Sequence, residues 1–208
     1  MVKEFDFSAF ETTEKDIRIE NQKIENCSIT GIQCKNFDFK GCQFHNVIFD
    51  SVFKGNKGQS LNIEECEFKN CKFSDKFGGF SVFLTAFNNV FFECQFENIV
   101  YHGYMEQSEV QDIKFINCTF KDIVLLGDLS LSGMEISGGS IKKCYYEGHI
   151  IYENPITDFV MEDVVIRGNF TDNILKNVSF RNVMVVGIDS GNVFIDCTDC
   201  YKFIYDRN

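Results

Sequence analysis

The sequence repeats with a period of five residues, which matches neither the 3.6-residue period of a helix nor the two-residue period of a strand. In the stretch NFDFKGCQFHNVIFD, residues 36–50, phenylalanines at 39, 44 and 49 follow Phe37, Cys42 and Val47 by two positions each. The pattern extends backwards, so that an apolar residue forms the centre of each successive pentad. These centres are Ile19, Ile24, Ile29, Cys34, Phe39, Phe44 and Phe49.

The period continues along the rest of the sequence with single-residue slips. Centres stay in phase from Leu131 to Ile166, and polar Thr171 and Ser190 interrupt the later series. The slips predict bulges or loops in the chain. They fall near 53–60, 75–91, 101–113, 126–131 and 171–176.

Pentads such as GCQFH, ECEFK, ECQFE and NCTFK resemble those of the pentapeptide repeat family, over residues 17–203. In that family four pentads form one square coil, and the coils stack into a right-handed parallel β-helix. The resemblance implies an all-β pentapeptide-repeat solenoid of roughly nine to ten coils, irregular at several single-residue slips. It also implies that residues 1–16 form an N-terminal cap, residues 17–203 the β-helix and residues 204–208 a C-terminal tail.

A second interpretation keeps the β-helix and enlarges its coil. Segments around Cys66, Cys94, Cys118 and Cys144 recur at intervals longer than four pentads, as in the larger coils of carbohydrate-active β-helices. The short pentads of residues 17–53 leave no room for such insertions, which favours the square coil. Both coil types remain open at this point.

The ten cysteines follow the pentad register rather than a metal-binding pattern. Cys34 and Cys200 stand at centres, and Cys197 is the one predicted to point outward. The others stand two positions before a centre, where a small buried residue is expected: Cys27, Cys42, Cys66, Cys71, Cys94, Cys118 and Cys144. The lone Cys-x-x-Cys of residues 197–200 should turn one sulfur inward, so the sequence predicts neither a metal site nor a cofactor.

The sequence contains no serine-nucleophile motif, phosphate-binding glycine loop or zinc-binding helix motif, and therefore predicts a protein that is not an enzyme. Two acidic groups, Glu64–Glu67 and Asp158–Asp163, contain the carboxylates that glycan cleavage would require. On a solenoid they are interpreted first as solvated side chains. A glycan-active β-helix enzyme remains a remote alternative.

The charge balance restricts the classes of partner. Asp and Glu number 31 against 20 Lys and Arg, for a net charge of −11, which disfavours nucleic acid and anionic lipid and favours basic proteins. No secretion signal and no apolar run of membrane-spanning length occurs. We expect a cytoplasmic protein that contacts neither a membrane nor nucleic acid directly.

Two functions follow from the resemblance. The first is a non-catalytic protein-interaction scaffold with an unknown protein partner, acting as a monomer or an end-to-end homodimer. The second is an acidic DNA mimic that binds DNA gyrase or topoisomerase IV, as members that confer quinolone resistance or toxin immunity do. In either case outward carboxylates are the candidate partner-binding residues: Glu93, Glu97, Asp122, Glu135, Asp163 and Asp196.

Overall fold

The computed structural model describes residues 17–30, 36–50, 59–74, 82–102, 109–151, 154–199 and 201–205. All regular structure in these residues is β, and every strand pairing is parallel. The strands are β1 (Ile17–Glu20), β2 (Lys23–Glu25), β3 (Ser28–Thr30), β4 (Asn36–Lys40), β5 (Gln43–His45), β6 (Ile48–Asp50), β7 (Gln59–Glu64), β8 (Glu67–Lys69), β9 (Lys72–Ser74), β10 (Val82–Phe87), β11 (Val90–Phe92), β12 (Gln95–Glu97), β13 (Val100–His102), β14 (Glu109–Gln111), β15 (Lys114–Ser132), β16 (Glu135–Ile151), β17 (Pro155–Thr157), β18 (Val160–Thr171), β19 (Ile174–Lys176), β20 (Ser179–Ser190), β21 (Val193–Ile195) and β22 (Lys202–Tyr205). The predicted cap, residues 1–16, lies outside the described residues.

The strands stack into a four-faced solenoid. The first face begins with β1, the second with β2 and the third with β3, while the fourth face is described from β13 onward. The long strands β15, β16, β18 and β20 turn corners and contribute to several faces. The predicted all-β, parallel β-helix is therefore confirmed.

Successive coils differ in length. On the first face the paired centres are Ile19, Phe39, Ile63, Ala86, Val110, Leu131, Ile150, Phe170 and Asp189. The sequence separation of equivalent residues is 20 in the first coil, then 24 and 23, and only 19 in a late coil. The coils are slightly fewer than the nine to ten predicted, because the early coils take up more than four pentads.

The extra residues of the early coils lie between the third face and the next first face. Almost three pentads separate Phe49 from Ile63, whereas less than two separate Met161 from Phe170 in a late coil. The second and third faces stay one pentad apart throughout, so the insertions do not disturb their register.

The predicted slips at 53–60, 75–91 and 101–113 coincide with these long intervals. Residues 51–58, 75–81 and 103–108 are outside the described part of the chain. The strands on either side of each interval are described, and they resume the register of the first face.

A glycine column makes the later coils shorter. Gly148, Gly168 and Gly187 pair with one another at the corner between the fourth face and the next first face. Gly168 and Gly187 have φ angles of +138° and +143°, and a Cβ on Gly168 would collide with the carbonyl oxygen of Gly148. Only four residues therefore separate the fourth-face centre Ile166 from the next first-face centre. That centre is the buried Phe170 rather than the predicted Thr171.

Two columns of stacked phenylalanine rings form the core of the early coils. On the second face Phe44, Phe68 and Phe91 lie 4.8 and 4.6 Å apart between centroids with nearly parallel planes, and Phe115 continues the stack. The columns meet edge to face, as Phe68 and Phe73 do at 5.5 Å. The third face repeats the arrangement with Phe49, Phe73, Phe96 and Phe120. Aliphatic side chains continue the two columns in the following coils, with Ile136, Ile156 and Leu175 on the second face and Ile141 on the third.

The buried cysteines occupy the predicted inward positions. Cys71, Cys94 and Cys118 follow one another in a column, and the Cys94 and Cys118 thiols donate to carbonyl oxygens of the coil below, of Phe68 and Phe91.

The prediction for Cys197 is wrong. Its thiol packs against the later core and donates to the Leu175 carbonyl oxygen at 3.4 Å, because it continues the inward column of Cys71 and Cys118. Cys34 and Cys200 lie outside the described residues.

An asparagine column that the sequence reasoning missed runs beside the second face. Asn154 and Asn173 are completely buried, and the Asn154 amide nitrogen donates to the Asn173 side-chain oxygen at 2.9 Å. Asn173 donates in turn to Asn192 at 3.0 Å, and Asn89 occupies the same column in an earlier coil. The Asn89 amide both accepts from and donates to buried backbone groups, which a valine at the same position cannot do.

We expect Phe68→Ala to lower the free energy of unfolding by about 3–5 kcal/mol, because it opens a gap between two stacked rings. The matched control is Phe92→Ala, on the neighbouring coil, where the ring points outward and is only half-buried. Urea unfolding followed by circular dichroism measures both losses. Equal losses in the two variants would contradict the stacked core.

The buried thiols predict a stability that declines in alkali. Burial raises the pKa of Cys66 to about 11 and that of Cys144 to about 12 from 9.0. As the pH rises, these thiols ionise in the unfolded chain before they ionise in the folded one. Their contribution to the free energy of unfolding is therefore fully present below about pH 9 and is lost as the pH rises towards 11 to 12. Urea unfolding at about pH 8 and about pH 10 should show a smaller loss for Cys144→Val than for the natural chain. Identical losses would show that Cys144 is not a source of the decline.

Candidate interaction surfaces

Residues in the left-handed conformation form the corners of the solenoid. One such residue follows most centres by two positions, and the non-glycine members have φ angles between 51° and 57°. Asparagine and aspartate tolerate this conformation better than other non-glycine residues, which explains their recurrence at these positions. The corner between the second and third faces contains Asn26, Asn46, Asn70, Glu93, Asn117, Gly138, Asp158, Asn177 and Asp196. The corner between the third and fourth faces contains Asn98, Asp122, Lys143, Asp163, Asn182 and Asp199.

Four of the six predicted partner-binding residues are therefore corner residues. Glu93 and Asp196 occupy the corner between the second and third faces, and both are exposed. Asp122 and Asp163 occupy the corner between the third and fourth faces, and both are half-buried. For the three aspartates, backbone conformation explains the position before any partner is invoked.

Corner side chains bond from coil to coil. The Asn182 amide nitrogen donates to Asp163 Oδ1 at 2.7 Å, and Asn177 donates to Asp158 in the same way at 2.6 Å. Lys143 Nζ lies 3.9 Å from Asp122 Oδ1. Two of the three carboxylates in these contacts thus already accept an amide hydrogen bond, and the third lies beside a cation.

The other two predicted residues lie on flat faces and form ion pairs. Glu97 on the third face lies 2.9 Å from Lys72 Nζ, and this hydrogen bond lowers the pKa of Glu97. Glu135 on the second face lies 2.7 Å from Lys114 Nζ. Such exposed pairs contribute little to stability, but they neutralise the local field that a basic partner would sense.

The acidic residues do not form a continuous stripe along the described corners. In each corner column the described carboxylates are separated by Asn, Gly or Lys in the intervening coils. Lys143, for example, stands between Asp122 and Asp163. The ion pair of Lys142 with Glu162, at 2.6 Å, adds a further cation on the third face. The six predicted residues are therefore not brought together into one site.

The fourth face has a different character, because its outward side chains are largely apolar. Its inward centres are Leu125, Tyr146, Ile166 and Val185, and the last three are buried. Side chains alternate along a strand, so the residues on either side of each centre point outward. Before the centres stand Val100, Val124, Tyr145, Val165 and Met184, all half-buried, and after them stand Leu126, Glu147, Arg167 and Val186. The last rung, centred on Phe203, has the exposed Lys202 before its centre and Ile204 after it.

These outward residues form two parallel rows up the column. Val124 pairs with Tyr145, Tyr145 with Val165, and Val165 with Met184 in the next coil. We name the two outward rows of the fourth face, Val100 to Met184 and Leu126 to Val186, the apolar face; its charged residues are Glu147 and Arg167 in the second row. In the same coils the outward residues of the third face are mainly polar or charged, including Lys121, Lys142, Glu162 and Arg181.

The apolar face was missed at the level of sequence. The residues that precede centres 125, 146, 166 and 185 are all apolar or aromatic, so a signal exists. Assigning them to one surface requires the coil length, and the separation of equivalent residues falls from 24 to 19 along the chain.

Comparison with known proteins agrees with the parallel stacking. Residues 8–169 match the right-handed β-helix region family. The chain belongs to the right-handed β-helix family. No curated protein matches the chain. Among the described residues of this β-helix, none forms a helix long and apolar enough to cross a membrane.

One solved structure that matches the chain is that of a trypsin-treated variant of QnrB1, a plasmid-mediated fluoroquinolone resistance protein. It shares 13% sequence identity with this β-helix and has a TM-score of 0.35, over 86% of this chain and 92% of that one. A similarity at this level does not transfer a function. The chain is therefore assigned to the β-helix family, and the pentapeptide-repeat coil stays a prediction.

The described residues contain no cluster of three or more His, Cys, Asp or Glu side chains arranged to hold a metal ion. The two acidic groups considered for glycan cleavage are divided between surfaces. Glu64 pairs with Lys40 at 3.0 Å, whereas Glu65 is a corner residue and Glu67 lies on the second face. Asp158 and Asp163 likewise occupy different corners.

Proposed function

We propose that the protein is a non-catalytic protein-interaction scaffold and that its partner binds the apolar face. The observation that supports this function is the contrast between neighbouring faces. The third face carries charged residues and ion pairs, whereas the apolar face carries mostly valine, leucine, tyrosine and methionine at the same outward positions, with Glu147 and Arg167 as charged exceptions. Large apolar patches on a protein surface characterise interaction sites.

A solenoid face suits this function because its residues are held rigidly. Each outward side chain of the apolar face is fixed by a strand that pairs with the coils above and below. A preformed surface loses little conformational entropy on binding, so more of the interaction free energy contributes to affinity. We propose that the scaffold acts in the cytoplasm, without a cofactor and without catalysing a reaction.

Mimicry of DNA towards a gyrase or topoisomerase IV is a second candidate, favoured by the net charge of −11. This function requires a regular series of carboxylates to replace phosphates against a basic groove. The interrupted corner columns and the ion-paired Glu97 and Glu135 give it less support than the apolar face gives the scaffold.

The strand β18 provides a matched pair of variants that tests the scaffold. Val165 lies on the apolar face and Val160 on the third face, both outward and half-buried. In a pull-down from host lysate, Val165→Lys should reduce partner recovery about tenfold, and Val160→Lys should leave it unchanged. Recovery should resist a high-salt wash, because apolar contacts are not screened.

Thermal unfolding of both variants checks that each remains folded. Equal recovery by Val165→Lys and the natural chain would overturn the role of the apolar face. Capture of a topoisomerase that salt releases, irrespective of either variant, would support DNA mimicry instead.

A further inference from the structure

We propose that the apolar face binds a second copy of the chain, with the two columns packed face to face and antiparallel. This inference rests on the proposed function, since it uses the same face as a protein-binding surface. It differs from the end-to-end dimer expected from the sequence, because the contact lies along the side of the column.

The described fourth face consists of six rungs. They are centred on residues 101, 125, 146, 166, 185 and 203. A two-fold axis that lies in the face, parallel to the strands and between the third and fourth rungs, places each rung of one copy over a rung of the other. The third rung then faces the fourth, the second faces the fifth and the first faces the sixth, so that Lys202 lies opposite Val100 at each end of the interface.

The charges on the four central rungs are self-complementary under this symmetry. Glu147 and Arg167 are the only charged residues at the outward positions of these described rungs, on the third and the fourth. The axis therefore places Glu147 of each copy opposite Arg167 of the other and forms two equivalent ion pairs. The Tyr145 hydroxyl, 3.4 Å from Glu147 Oε2, helps to hold the carboxylate at this position.

The apolar residues are complementary as well. The same axis places Tyr145 over Val165 of the second copy, Val124 over Met184 and Leu126 over Val186. Apolar side chains meet apolar side chains on all four central rungs, so their burial favours association.

The antiparallel arrangement is favoured over the parallel one by charge complementarity. A two-fold axis along the column would place each rung over itself and exchange the two rows. Glu147 would then meet Tyr145, and Arg167 would meet Val165, so neither charge would gain an opposite charge from the second copy.

The size of the face indicates a reversible dimer. Six rungs at about 4.8 Å give a length of about 24 Å between the first and last rungs. A single flat face of this length lies near the lower limit of specific interfaces. We therefore expect dissociation in the micromolar range.

Sedimentation velocity of the untagged chain, from about 1 to about 300 μM, tests the dimer. The natural chain should shift from monomer to dimer over this range. Val165→Lys should raise the dissociation constant at least about tenfold, while Val160→Lys on the third face should leave it unchanged.

The charge pair provides the more specific test. Glu147→Arg and Arg167→Glu should each weaken self-association by about tenfold or more, because like charges then face each other. An equimolar mixture of these two variants should form a heterodimer nearly as tight as the natural dimer. Within each variant residues 147 and 167 carry like charges, and opposite charges are restored only between the two chains, so a pair formed within one chain cannot explain the rescue.

Three results would overturn the inference: a natural chain that stays monomeric throughout, equal weakening by Val160→Lys and Val165→Lys, or no rescue in the mixture. Failure here is distinct from failure of the scaffold. A monomeric chain whose capture of another protein is abolished by Val165→Lys retains the proposed function and loses only the second copy as its partner. A monomeric chain whose capture is unaffected by that substitution overturns both.

Discussion

The stacking of like side chains at the spacing of parallel strands is the constraint on which this structure depends. Ring centroids 4.6 to 5.1 Å apart on the second face show that the phenylalanines follow the strand separation itself. A coil can bury its rings only if the coils above and below present side chains at the same place. Each corner must therefore have nearly the same backbone geometry in every coil. Asn, Asp and Gly supply the left-handed conformation that such corners require. In the early coils the extra residues lie between the third face and the next first face, where they leave the register of the two phenylalanine columns unaffected.

The same constraint determines which residues remain for function. Inward positions are filled by core side chains, and corner positions require residues that tolerate the left-handed conformation, which accounts for Asp122, Asp163 and Asp196. The outward strand positions are free of both demands. On the third face they carry charged residues and ion pairs, and on the fourth face they carry mainly apolar residues in two rows, interrupted by Glu147 and Arg167. Because nothing in the fold requires valine or methionine to point outward there, these rows are the best indication of an interaction surface.

The fold was predictable because its signal is local and repeated: the centres from Ile19 to Phe49 and the small residues before them define the coil. The coil lengths were not predictable, since a short insertion leaves the next pentad intact. The sequence then does not reveal on which face that next pentad lies. The error at Thr171 has a related cause, because the four-residue step at Gly168 depends on a close backbone contact between coils. The candidate site was harder still. Sequence placed carboxylates on the surface but could not show that Lys72, Lys114 and Asn182 engage them, nor that Val124, Tyr145, Val165 and Met184 share one face.

The most direct test of the account is a distance along the column. Gln43 and Ile174 are outward residues of the second face, separated by six rungs through Glu67, Val90, Lys114, Glu135 and Pro155. Spin labels on unnatural amino acids at these two positions, measured by double electron–electron resonance in dilute protein, should give one narrow distribution at about 29 Å, or six rungs of about 4.8 Å. A broad distribution, or a mean that differs by two or more rungs, would contradict a single rigid column with this register.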